Sequence, residues 1–142
     1  MKHVLISFLL FTTVIFPTRI FSHHYSIIAH TISDSALEAR SIFAADVDGD
    51  GDMDVLSGHY NIAWYEYDGL ESFIDHTVST SGSKSVHAAD VDNDGDMDVV
   101  TAKRSGIQWH ENDGSQSFTT HIITSNKKYG NFSYAVDLDQ DG

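Results

Sequence analysis

Asp46-Val-Asp48-Gly-Asp50-Gly51-Asp52-Met-Asp54 sets five carboxylates on alternate positions of nine residues. The pattern returns 44 residues later as Asp90-Val-Asp92-Asn-Asp94-Gly95-Asp96-Met-Asp98 and starts a third time at Asp137-Leu-Asp139-Gln-Asp141-Gly142. Side chains at positions 1, 3 and 5 of such a run converge when the backbone curls, and Gly at position 6 allows the positive φ of a sharp turn. Oxygen donors at this density suit a hard cation with a large, irregular shell, which is calcium. Asp46, Asp48, Asp50 and Asp54 are then the side-chain ligands of the first loop, with Asp52 giving its carbonyl. Asp90, Asp92, Asp94 and Asp98, with Asp96 in the carbonyl role, repeat the set, and Asp137, Asp139 and Asp141 begin another.

Of two competing readings, the EF-hand fails and magnesium is possible but disfavoured. An EF-hand places a bidentate Glu at position 12 between helices, whereas position 12 here is Ser57 or Thr101, and Val55-Leu56 and Val99-Val100 favour strands. Magnesium keeps its waters and rarely takes an all-protein cage. The charge balance agrees with calcium: the net charge is −13, and 13 of the 21 acids belong to the three Asp runs. That acidity is a metal-site signature and argues against a nucleic-acid partner.

The repeat extends beyond the acids. Trp64-Tyr-Glu66-Tyr-Asp68-Gly69 matches Trp109-His-Glu111-Asn-Asp113-Gly114, and Phe73-Ile-Asp-His76 matches Phe118-Thr-Thr-His121, with an early echo at Ile27-Ile-Ala-His30. Spacings of 44 to 47 residues fall in the range of propeller blades. Alternation and β-branched content predict four strands in the second unit, at Ser85–Ala89, Asp98–Ala102, Gly106–Glu111 and Ser117–Thr124, with Asn112-Asp113-Gly114 as a hairpin turn. No long stretch holds a helical period. The fold class expected is all-β: a partial β-propeller of four-stranded antiparallel blades, with a calcium loop between the first and second strands of each.

These motifs resemble the FG-GAP/VCBS-type repeat family, whose calcium-loop blades also form the head of integrin α subunits. The likeness covers residues 25 to 142. Phe43-Ala44-Ala45 and Val86-His87-Ala88-Ala89 stand where the literal Phe-Gly and Gly-Ala-Pro signatures would be, which favours the VCBS subgroup. The resemblance implies a β-propeller with calcium at the turn between first and second strands. Within that frame Tyr25–Ser33 reads as a closing strand that completes the last blade.

The segments follow. Residues 1–22 read as a secretory signal peptide: a basic start, an apolar run from Val4 to Phe16 and a polar exit. Residues 23–34 hold the lone closing strand, 35–80 the first blade, 81–126 the second, and 127–142 the start of a third. A ring of four to eight blades needs about 180 to 360 residues, so further blades of the same chain are expected past Gly142. No transmembrane span is expected. With no cysteine in an exported chain, calcium takes the stabilising part that disulfides would otherwise have.

Propeller topology puts the turns between strands two and three, and those between blades, on the face away from the calcium loops. Five of the six Lys and Arg residues outside the signal peptide fall there: Lys84, Lys103, Arg104, Lys127 and Lys128. With Tyr60 and Tyr129 they define an expected partner face for an acidic polysaccharide or cell-surface protein. His76, His121, Trp64, Trp109, Glu66 and Glu111 repeat in register, which marks blade packing and not catalysis. No nucleophile–base arrangement or phosphate loop occurs, so these residues are not read as an enzyme. The leading expectation is a secreted calcium-binding propeller used for adhesion or for carbohydrate or protein binding. The alternative is the propeller part of a secreted enzyme, such as a polysaccharide lyase, with catalytic residues beyond residue 142.

Overall fold

The computed structural model describes residues 30–34, 36, 38–125 and 130–137. The signal-peptide stretch 1–22 and the 25–29 portion of the expected closing strand lie outside these residues, and residues 30–33 carry no strand. Short apolar runs broken by Asp-Gly turns give eight strands: β1 Ser41–Ala45, β2 Asp54–Gly58, β3 Ile62–Tyr67, β4 Phe73–Ser79, β5 Ser85–Ala89, β6 Asp98–Lys103, β7 Gly106–Asn112 and β8 Phe118–Ser125. They form two antiparallel four-stranded sheets in the orders β1-β2-β3-β4 and β5-β6-β7-β8. Each sheet is one blade; they do not close a barrel. The strands expected in the second unit are all found, with ends displaced by no more than one residue. No helix occurs among the described residues, so none there is long and apolar enough to cross a membrane.

The repetition is geometrical down to its irregularities. Each sheet has a bulge two residues before its Trp, at Ile62/Ala63 and at Ile107/Gln108. Trp64 pairs with His76 and Trp109 with His121. Their rings stack at 4.3 Å and 4.6 Å, and the His Nε2 meets Glu66 Oε2 at 2.7 Å or Glu111 Oε2 at 2.5 Å. Both Glu carboxylates are thereby committed within their own blades, in keeping with a packing role.

Burial shows how one blade covers the next. Four residues before the first Asp of a run stand Ile42, Val86 and Ser133, which are 72%, 4% and 8% exposed. Val86 is covered because the first sheet lies on it, and Ser41 Oγ accepts the Val86 amide at 3.1 Å. Ser133 is covered by the second sheet and hydrogen-bonds Ser85 through its amide at 3.2 Å. The core between the sheets joins Val47, Leu56, Ile62 and Trp64 of the first blade to Val86, Ala88 and Val99 of the second. Three residues before each run, Phe43 on β1, His87 on β5 and Tyr134 past β8 make a ladder of rings, with centroids 4.3 Å apart at both steps.

His110 on β7 is fully buried between Thr101 on β6 and Thr120 on β8, with ring nitrogens 3.2 Å and 2.9 Å from the hydroxyl oxygens. Hydroxyls serve as donor or acceptor, so the neutral ring is satisfied in either tautomer. Burial, and then the Lys103 charge, push His110 down to about 4. Between that value and the ordinary histidine range the unfolded chain binds a proton that the folded chain refuses. Stability therefore falls as pH drops through this window, by up to about 1.4 kcal/mol per pH unit from this one group. Urea unfolding of His110→Gln in chelator, from pH 7 to pH 4.5, should show a slope shallower than wild type by up to that amount. Equal slopes would mean that His110 is not held neutral.

Candidate metal centre

Both complete Asp runs fold back on their own amides. In the first, Asp46 accepts the amides of Gly49 and Gly51 at 2.8 Å and 3.0 Å, and Asp50 accepts that of Asp52 at 2.8 Å. In the second, Asp90 accepts those of Asp94 and Gly95 at 3.2 Å and 3.0 Å, and Asp94 that of Asp96 at 2.9 Å. Gly51 and Gly95 sit at φ of +97° and +99°, where any side chain would be strained.

Curling brings the acids together. The carboxylates of Asp46, Asp48 and Asp50, and those of Asp90, Asp92 and Asp98, each lie within 4.8 Å of one another. Between them the two clusters sample positions 1, 3, 5 and 9 of the run. This all-oxygen set fits a hard divalent cation. Partial desolvation, with the Asp50, Asp54 and Glu66 charges, holds Asp48 above the usual carboxylate range. Desolvation and then the Asp94 and Asp98 charges do the same for Asp92. Crowded like charges raise such values, and a bound cation reverses the sign of that interaction.

Asp54 and Asp98 do something the sequence reading missed. Both are fully buried. Asp54 accepts the Val47 amide at 3.0 Å and the Tyr67 amide at 2.9 Å. Asp98 accepts those of Val91 and Asn112 at 2.9 Å and 2.8 Å. Each therefore joins the start of its loop to the end of the third strand, besides the ligand role assigned from spacing. Asp52 and Asp96 turn their side chains toward the neighbouring hairpin turns. Their Oδ2 atoms lie 3.1 Å and 2.5 Å from where a Cβ on Gly69 or Gly114 would stand, and both glycines hold φ near +70°, where a side chain is strained. Loops and hairpin turns thus share one end of the blades. Asp68 and Asp113 act as turn formers, accepting the amides of Leu70 and Ser72 or Ser115 and Ser117. Asp137 is exposed; Asp139 and Asp141 lie outside the described residues.

At the other end of the strands is an open cleft of about 780 Å³. Tyr60, Lys84, Lys103 and Arg104 line it together, as the sequence analysis grouped them. Arg40 and Ser83 also contribute and were missed: Arg40 lies outside the turns inspected for cations, and Ser83, inside the turn that ends at Lys84, carries no charge. Lys127, Lys128 and Tyr129 fall outside the described residues.

A sequence profile described as an FG-GAP-like repeat matches residues 46–101 and again 90–142. No curated protein and no solved structure matches the chain.

Removing Asp98 (Asp98→Ala) should cost about 3 kcal/mol or more, since it strips two charge-assisted bonds and strands a buried amide. The loss should be present in chelator as well as in calcium. Asp94→Ala, on an exposed carboxylate, should cost stability only when calcium is present. Thermal melts of both variants in the two conditions check the contrast.

Proposed function

The chain belongs to the FG-GAP-like repeat family, and from that premise we propose that it is a secreted, calcium-stabilised propeller module that acts by binding an acidic polysaccharide. Calcium holds the loops at one end of the blades, and the cleft at the other end receives the ligand. One observation carries the reading: all four Lys and Arg residues among the described residues, Arg40, Lys84, Lys103 and Arg104, line that single cleft.

In a chain of net charge −13 such segregation matters only if the acids do not cancel it. Strands of five to eight residues separate the two ends, which is roughly 16 to 27 Å of rise. Screening at physiological salt acts over about 8 Å, so the loop acids do not cancel the cleft's charge; Glu38, 3.7 Å from His59 in the cleft wall, offsets only one of the four cations. None of the four cations forms an ion pair with a carboxylate among the described residues. Lys84 Nζ instead donates to Asn131 Oδ1 at 2.6 Å. Tyr60 is 70% exposed at the cleft and offers a ring face to a sugar. Ser83 Oγ, buried in the wall, has no hydrogen-bond partner.

Calcium as the cation rests on the oxygen donor set and on the millimolar concentrations that extracellular modules meet. A titration calorimetry experiment should show calcium binding between micromolar and millimolar. On a glycan array the protein should prefer sulfated or uronate-bearing chains to neutral ones. Lys103→Ala with Arg104→Ala should weaken that binding at least tenfold and flatten its salt dependence, leaving calcium binding unchanged. No preference for acidic over neutral glycans would end the proposal.

A further inference from the structure

The cleft at the cationic end is built from two equivalent turns that carry different chemistry. Counted from the last Asp of each run, His59 and Tyr60 of the first blade hold the positions that Lys103 and Arg104 hold in the second. All four line the same cleft. Where the second blade sets a half-buried Lys103 and an exposed Arg104, the first sets two rings. The His59 side chain is 8% exposed, and its ring centroid lies 3.7 Å from that of Tyr60, which is largely open to solvent. A buried imidazole thus backs an open phenol, an apolar body with a polar tip.

Charge divides the same way. On the first blade Glu38 places Oε2 3.7 Å from His59 Nε2, so a carboxylate stands beside the ring pair and offsets Arg40. On the second blade Lys84 joins Lys103 and Arg104 at the cleft, and no acid occurs in residues 80–89, 99–110 or 114–133. An acidic sugar over the first turn would meet Glu38; over the second it meets three cations. Like charges set against each other in the wrong register cost affinity, which is how a charge pattern rejects a misplaced ligand.

Both turns are buttressed. A Cβ on Gly82 would stand 2.3 Å from the His59 carbonyl oxygen, and one on Gly130 2.6 Å from that of Lys103. Each turn therefore rests against a glycine of the segment that follows its blade, and the Ser83 amide donates to the His59 carbonyl at 2.9 Å. The two halves of the cleft are held in place before a ligand arrives, which lowers the ordering cost of binding.

We propose that the cleft reads a polysaccharide one blade at a time, with an uncharged sugar stacked on Tyr60 and the adjoining acidic sugar held by Lys84, Lys103 and Arg104. The ligand class is thereby narrowed to chains that alternate acidic and neutral units, and a uniformly charged chain is disfavoured at the first turn. This specificity rests on the acidic-polysaccharide reading above and adds the order of the units to it. Titration calorimetry on the full chain, at one calcium concentration, separates the outcomes with two oligosaccharides of equal length. One is a hyaluronan fragment, which alternates glucuronate with N-acetylglucosamine; the other is a homopolymer of glucuronate. The alternating chain should bind more tightly by about threefold or more, the scale of one ring contact, although it carries about half the charge. Tyr60→Lys should reverse that order, weakening the alternating chain by about the same factor and strengthening the homopolymer. A homopolymer that binds wild type as tightly as the alternating chain, or more tightly, would overturn the order of units and leave an acidic-polysaccharide cleft standing. So would a Tyr60→Lys variant that binds both chains more tightly, the mark of a cleft that senses charge alone. If neither chain binds, the acidic-polysaccharide reading itself falls, and this specificity with it.

Discussion

In each blade a carboxylate sealed from solvent holds two backbone amides, one where the Asp loop begins and one where the third strand ends. Asp54 and Asp98 could not sit uncompensated in a core; charge-assisted bonds to both oxygens make their burial tolerable. The loop consequently leaves the sheet at a fixed angle before any cation arrives. The remaining acids are presented on a rigid base, so cation binding does not have to bear the entropy of ordering the turn. The hairpin turn lies alongside the loop, and there Gly69 or Gly114 supplies the positive φ of the turn beside Asp52 or Asp96.

Blade-to-blade burial adds a second layer of order. Val86 and Ser133 are covered by the sheet before them, as a repeat architecture requires when neighbouring units share their cores. The outer strands β4 and β8 are open to solvent over most of their length, while β6 is buried on both faces except at its last residue. Stability is therefore distributed through neighbour contacts, with the repeated Trp–His–Glu groups stiffening each blade from within.

Most of the blade architecture was legible because turn chemistry punctuates it. Asp-Gly steps set strand ends to within a residue, and the Trp motif gave the register. The loop acids were legible by spacing, yet the second task of Asp54 and Asp98 was not. Spacing counts donors, and cannot reveal that the amides of Tyr67 and Asn112, far along the chain, fold onto those oxygens. His110 was equally hidden: it alternates with Trp109 like a surface residue, but β7 lies between β6 and β8 and the hydroxyls that accommodate it come from both neighbours. Arg40 joins the cleft from before the first strand, a proximity that only the packed blades create.

The ring ladder of Phe43, His87 and Tyr134 has a consequence for curvature. Ring packing at this edge sets how closely β1, β5 and the Tyr134 segment approach: both steps are 4.3 Å between centroids, although Phe43 meets His87 edge-on at 69° and His87 meets Tyr134 tilted at 34°. The ladder thus works like the hub of a fan. A change of a few tenths of an ångström there swings the outer strands through a larger arc, so ring size at three residues tunes the opening angle of the assembly while the chemistry of each ring stays free to drift.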